Sequence, residues 1–195
     1  CVFGAPTVGC TLAVGRAAGI SFMGTGGIGG VHRGTRFDIS ADLLELSRSQ
    51  VVVVSSGVKS LLDVEATAEM LETLGVPVLG WQTDTMPRFY DAAGGPAVTE
   101  RIETAEDAVS LARLHWELGG CGVLVARPPE TSIDVDDLID EALEEAERQG
   151  IRGQAVTPFV LSRLHEQSDG RTLEVNKELA AANARLAGEL AVGAA

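Results

Sequence analysis

Basic residues, cysteines and long apolar runs are all scarce in this chain, and each shortage closes off a class of function. Fifteen Lys and Arg face 28 Asp and Glu, a formal net charge of -13 at pH 7. A phosphate backbone is held by clustered cations that displace its counterions, so sequence-independent binding of nucleic acid is excluded, whereas a small anion in a local basic pocket is not. The three cysteines, Cys1, Cys10 and Cys121, are odd in number and lack metal-ligand spacing. Free thiols in a reducing compartment follow, with the cytoplasm as the expected location. No apolar run reaches the length of a membrane span, and no charged start followed by an apolar stretch and a cleavage site marks a secretory leader. The sequence also opens on Cys1 rather than Met, and 2–14 reads as the middle of a structured region, from which a further N-terminal part is expected.

What is present is the composition of a folded chain: 45% hydrophobic and 22% charged residues. The 195 residues suit a single α/β domain spanning 1–195, two small domains being the alternative that length leaves open. Small and apolar side chains at helical spacing predict a helix over 6–18, with Pro6 in its first turn and Gly19 as its stop. A short strand is expected over 20–23, then a loop, because five glycines in seven positions carry too much backbone entropy for a regular element. Asp38 or Ser40 can cap a short helix through ADLLELSRS. The β-branched run 51–55 is the mark of a central strand covered on both faces. A helix capped by Ser60 or Asp63 and ending at Gly75 follows, then a strand over 76–81 and a long Gly- and Pro-rich functional or surface loop over 83–98. Further helices are predicted over 104–118, 134–147, 157–166 and 173–191, with a strand over 122–126 between the first two. Strands alternating with helices make the fold class α/β, a three-layer α/β/α arrangement with a mostly parallel or mixed central sheet.

Chemically able side chains concentrate in 24–63. The segment GTGGIG satisfies G-x-G-x-x-G, but no helix opens directly behind it and Ser55 and Ser56 stand where a dinucleotide fold needs an acid after the next strand. The same glycines can bring backbone N–H groups to a phosphate, with Thr25, His32 and Arg33 as further donors, or can form no more than a tight surface turn. Gly57-Val-Lys-Ser60 resembles a P-loop tail, yet Val52 replaces the required upstream glycine. Lys59 directly after a buried strand is suited to Schiff-base chemistry, since a neutral amine attacks a carbonyl carbon; a solvated surface lysine is the commoner case. Asp38 and Asp42, four apart, can share a cation or sugar hydroxyls, or serve as a cap and a first-turn acid. Asn176 and Asn183, seven apart, share one helix face, where they either read a polar ligand or satisfy neighbouring backbone. His115 and His165 have no partner at ligand spacing.

Taken together, GTGGIGGVHRG, FDISADL, GVKSLLD, WELGGCGVLVARP, GIRGQAVTPF and NARLAGELA resemble the pseudouridine-5'-phosphate glycosidase family, also found in indigoidine synthesis clusters, along essentially the whole chain. The resemblance implies reversible cleavage of the C–C glycosidic bond of pseudouridine 5'-phosphate to uracil and ribose 5-phosphate, an activity placed in the carbon–oxygen lyase class. It implies a divalent metal, manganese in the usual case, and a homotrimer. Lys59 matches the lysine that forms an imine with ring-opened ribose, and Asp38 the metal-binding aspartate. Ser40, Ala41 and Asp42 match a substrate-contacting segment, and Val8 another substrate contact. Thr25 and His32 correspond to residues near the phosphate, and Asn176 to an asparagine facing the base. The family also carries a general-acid glutamate and a substrate lysine in a section preceding the one present here, and its loop between His32 and Asp38 is about two residues longer. The expected alternatives are a related C-glycosidase acting on another base, and a noncatalytic phosphosugar-binding protein of the same fold.

Overall fold

The computed structural model describes residues 7–33, 38–152 and 155–194. Among them five strands form one sheet in the order β1-β3-β7-β5-β6, with every neighbouring pair parallel. These are β1 (Phe22–Gly24), β3 (Val52–Ser55), β5 (Val78–Trp81), β6 (Glu100–Ile102) and β7 (Val123–Ala126). A second, two-stranded antiparallel ribbon joins β2 (Val31–His32) to β4 (Leu62–Asp63). The helices are α1 (Val8–Ala17), α2 (Ala41–Leu46), α3 (Val64–Thr73), α4 (Ala105–Glu117), α5 (Asp136–Arg148), α6 (Val156–Gln167) and α7 (Arg171–Gly193).

The layers follow from the period-two alternation of strand side chains. On β3, Val53 faces a core shared with Leu12, Leu43, Leu71 and Ile139 from α1, α2, α3 and α5. Val52 and Val54 point the other way, into a core closed by Ala108 and Ala112 of α4 and Leu186 and Leu190 of α7. Both faces of β3 are therefore dry, which is why its sequence is an unbroken valine run rather than an alternating one. The result is the expected three-layer α/β/α architecture. At Gly24 a Cβ would lie 2.5 Å from the Cα of Ala184, so the missing side chain lets α7 lie directly on the end of β1.

Several boundaries differ from the sequence reading, each for a local reason. The strand expected over 20–23 is Phe22–Gly24, in register with Val52–Val54 of β3. The segment after Lys59 does not enter a helix at once: Leu62 pairs across the ribbon with His32, and the helix begins at Val64 with Asp63 as the true cap, accepting from the Ala66 N–H at 3.0 Å. A two-residue ribbon is too short to show any hydrophobic period, so neither β2 nor β4 is visible in the sequence. Strand β6 was missed because it is a polar edge strand in which Glu100 and Arg101 are exposed. Ser40, rather than Asp38, caps α2. Thr104 and Asp107 form a reciprocal capping box at the start of α4. The first-turn role of Pro6 and the 34–36 part of the loop lie outside the described residues.

Candidate active site

Because β1 and β3 are parallel neighbours, the loops that leave their carboxyl ends emerge side by side. They do not splay. Thr25 donates its N–H to Val54 O at 2.9 Å, Ser56 to Gly26 O at 2.8 Å, Ile28 to Gly57 O at 3.1 Å, and Lys59 to Ile28 O at 3.2 Å. The pairing of Ile28 with Val58 continues the parallel ladder past the end of the sheet. Lys59 thus stands on backbone held nearly as firmly as a strand.

A third segment, 87–90, lies across this ladder. Phe89 donates its N–H to Ser56 O at 2.9 Å, and the Ser60 hydroxyl donates to Arg88 O at 2.5 Å. The approach is close enough that a Cβ on Gly57, whose φ is +78°, would sit 1.8 Å from Pro87 O, and one on Gly27 would sit 2.5 Å from the Phe89 ring. Phe89 itself has φ +64°, a conformation rare for a bulky residue. Its ring meets that of Tyr90 edge-on with centroids 4.6 Å apart.

Between these segments, α1 and α7 lies a cavity of about 240 Å³. Lys59, Val8, Thr25, Asn176, Phe89 and Tyr90 all line it. Four residues singled out in the sequence therefore converge here: the lysine, Val8, Thr25 and Asn176. Among the described residues no carboxylate or other polar partner engages the Lys59 amine. Asn176 and Asn183 share a face of α7 as expected, with divided roles. Asn176 faces the cavity, while Asn183 is fully buried and donates to Thr25 O at 2.7 Å and to the Ser56 hydroxyl at 3.0 Å, tying the two loops from behind.

The remaining candidates sit elsewhere. Asp42 is 2% exposed and both its oxygens are used: Oδ1 accepts from the Gly9 N–H at 2.7 Å and Oδ2 from the Gly29 N–H at 2.8 Å. It clamps the start of α1 to the glycine loop. Ser40 caps α2 and gives its N–H to Gly30 O at 2.9 Å, and Ala41 is the exposed first residue of that helix. Of the glycine loop, which the sequence leaves open as a phosphate cradle or a tight turn, the N–H groups of Thr25, Ile28, Gly29 and Val31 are bonded within the protein, and Gly26 and Gly27 line the Lys59 cavity. Close approach of neighbouring elements by itself requires glycine at 24, 27, 29 and 30.

His32 and Asp38 are joined by the His32 N–H to Asp38 O bond at 2.9 Å, and both line a second, more open cleft of about 630 Å³. Leu61 is the residue the cleft shares with the Lys59 cavity. Arg33, expected to face an anion, is turned to Asp140 at 3.2 Å and to the carbonyls of Ser60 and Leu62. Among the described residues no three His, Cys, Asp or Glu side chains are grouped to hold a metal. Asp38 stands in that open cleft, where a divalent ion would need water to complete its coordination sphere.

Tyr90 went unread in the sequence. Its signal was there: it is the chain's single tyrosine, beside Phe89, in the Gly- and Pro-rich segment set aside as a functional or surface loop. Burial pushes its hydroxyl up to about 12. Next to it Arg88 bonds Asp91 at 2.8 Å, which raises the guanidinium and lowers the carboxyl from their ordinary ranges.

A parallel α/β/α sheet with a lysine-bearing cavity at the carboxyl ends of two adjacent strands defines a protein built to take a small molecule. The chain belongs to the family described as indigoidine synthase A like protein, whose family model matches residues 2–193. It is 46% identical over 195 residues to a protein of Gemmatimonas aurantiaca named pseudouridine-5'-phosphate glycosidase, covering 97% of this chain and 64% of the relative. A protein of the same name from Sorangium cellulosum is 48% identical, covering 95% and 61%. Among solved structures, the prealnumycin C-glycosynthase AlnA in complex with ribulose 5-phosphate superposes with TM-score 0.90 at 38% identity, over 98% of this chain and 66% of that one. An indigoidine synthase A-like protein of Thermotoga maritima gives TM-score 0.87 at 43% identity, over 95% and 63%. The chain thus spans a little under two thirds of the length of the curated relatives it matches. No helix among the described residues is long and apolar enough to cross a membrane.

Proposed function

We propose that this chain carries the lysine-centred part of a pseudouridine-5'-phosphate glycosidase, which reversibly cleaves pseudouridine 5'-phosphate to uracil and ribose 5-phosphate. The observation that carries the reading is Lys59, without a partner among the described residues, on a rigid ladder at the wall of a cavity sized for a small metabolite. The names of the relatives, and of the neighbour that holds a pentulose phosphate, support the same substrate class.

The bond to be broken is carbon to carbon, so it lacks the leaving oxygen that paired carboxylates protonate in ordinary glycosidases. The amine of Lys59 supplies another route. It attacks the anomeric carbon, the ring C–O bond breaks, and the ring oxygen takes a proton. The nitrogen lone pair then forms the imine as the C–C bond breaks toward uracil, whose C5 takes a proton. Water hydrolyses the imine to ribose 5-phosphate and the free amine. Thr25 and Asn176, in the lining of the same cavity, would orient the sugar phosphate and the base, and Val8 would exclude water beside them. Asp42 acts through what it fixes, the Gly9 turn under Val8 and the glycine loop. Asp38, with His32 in the adjoining cleft, would hold the divalent ion, which supplies charge and ordered water when bound.

The test is to incubate the chain with ribose 5-phosphate and borohydride and map the adduct by mass spectrometry. One pentitol phosphate on Lys59, absent in Lys59→Ala, is expected; an adduct that survives the substitution defeats the assignment. Uracil release is then assayed, with and without manganese, on a version extended to the length of the relatives. A second reading, C-glycoside chemistry on a different acceptor ring, is favoured by the AlnA likeness and predicts the same adduct with no uracil release.

A further inference from the structure

Tyr90 is 2% exposed, yet its hydroxyl has no hydrogen-bond partner among the described residues. Buried hydroxyls are paired in the great majority of cases, because leaving one unpaired forfeits its hydration with nothing in return. A phenylalanine would fill the same volume without that cost. The position is also defined by an unusual amount of structure. Phe89, held at φ +64°, fixes the direction of the chain, the Ser56 carbonyl and the Ser60 hydroxyl anchor it, and the Ile133 N–H donates to Tyr90 O at 3.0 Å. Backbone held in a sparsely populated region is characteristic of ligand clamps.

Tyr90 is wall to two cavities at once. One is the Lys59 cavity, and the other, of about 200 Å³, is bounded by Ser60, Arg88, Asp91 and Asp136. In the second, Arg88 is occupied by Asp91 at 2.8 Å and Asp136 at 3.4 Å. The three acids Asp91, Asp134 and Asp136 around one guanidinium disfavour an anionic guest there. Among the described residues the Lys59 cavity carries no acid in its lining.

We propose that the Tyr90 hydroxyl is a ligand contact of the Lys59 cavity, hydrogen-bonding a hydroxyl of the sugar phosphate held there. This rests on the reading of Lys59 given above and adds a residue that selects for a hydroxylated carbon chain. An apolar wall discriminates weakly between a sugar and its deoxy analogue, whereas a buried hydroxyl that needs its partner discriminates strongly. The alternative, a hydroxyl satisfied by water trapped inside the fold, is separable because it makes the group structural.

The experiment is calorimetric titration of ribose 5-phosphate into the chain and into Tyr90→Phe and Lys59→Ala, with thermal melts of all three and borohydride trapping in parallel. Expected for Tyr90→Phe is affinity weakened about tenfold, with a melting temperature equal to or above the parent, since an unpaired buried hydroxyl has been removed. Unchanged affinity in Tyr90→Phe, while the Lys59 adduct still forms in the parent, overturns the tyrosine contact and leaves the lysine reading standing. A melting temperature several degrees lower overturns it as well, by showing that the hydroxyl is satisfied inside the protein. Absence of both binding and adduct in the parent removes the lysine reading, and the tyrosine contact with it.

Discussion

Replacing Asp42 tests the packing behind the site. Its carboxylate accepts from two backbone N–H groups far apart in sequence, Gly9 at 2.7 Å and Gly29 at 2.8 Å, and is 2% exposed. Asp42→Ala leaves both donors buried without a partner. At about 1–3 kcal/mol for each such group, the expected loss is about 2–6 kcal/mol, against a total stability of about 5–15 kcal/mol for a typical domain. Asp42→Asn keeps one acceptor oxygen but turns its NH₂ toward the other donor, so it recovers only part of the loss. Urea unfolding followed by the fluorescence of Trp81 and Trp116 reads the difference, and Asp38→Ala is the control. Asp38 is half-exposed and accepts no such pair of bonds among the described residues, so that change stays within about 0.5 kcal/mol of the parent. An Asp42→Ala protein as stable as the Asp38→Ala one would refute the argument, and would return Asp42 to a role in direct contact with ligand.

Two other outcomes follow from packing and charge. Gly24→Ala puts a Cβ 2.5 Å from the Ala184 backbone, which cannot swing aside, and is expected to cost about 3 kcal/mol or more; Gly188→Ala, mid-helix with nothing within 4 Å, should gain about 0.5–1 kcal/mol. Equal shifts in a pair of thermal melts would contradict both contact geometries. Asp91 is held below the ordinary carboxylate range, chiefly by its bond to Arg88 and further by the Ala93 N–H. A carboxyl depressed in the folded state adds stability above its unfolded value, and that contribution is lost as pH falls through the folded value. Asp91→Asn should therefore flatten the acid limb of a melting-temperature profile below about pH 5. With 40% of the side chain exposed, the effect is on the order of 0.5 kcal/mol. An unchanged slope would show that the pair contributes nothing.

The sequence made the layers legible and left the joints obscure, for one reason. Val52 to Val54 and the helical spacing of Leu138, Ile139 and Ala142 report burial on a repeating lattice, and repetition is what a pattern can detect. The ribbon of Val31 and His32 with Leu62 and Asp63 has no repeat to detect, and it alone moves the start of α3 past Leu62. Lys59, Val8, Thr25 and Asn176 were picked out by family resemblance and chemistry, and they share a cavity. The glycine run is ambiguous in the sequence because glycine marks any close approach of backbone. At Gly24 and Gly27 the neighbour is α7 or a phenyl ring, which only tertiary structure can identify. Tyr90 was passed over because its significance lies in an unpaired hydroxyl, a property of surroundings assembled from the whole chain.

The placement of Lys59 follows from the sheet. Parallel strands deliver all their carboxyl ends to one edge, and there the loops of β1 and β3 remain bonded to each other through Gly26, Ile28 and Gly57 instead of parting. A long, flexible side chain gains most from such a base, because the backbone freedom that would misplace its amine has already been removed in folding. Asp38 is tied to the ribbon through the His32 N–H and lines the wider cleft, which shares Leu61 with the Lys59 cavity. Asp38→Ala is therefore expected to leave the Lys59 ladder in place, which unchanged borohydride trapping on Lys59 would check.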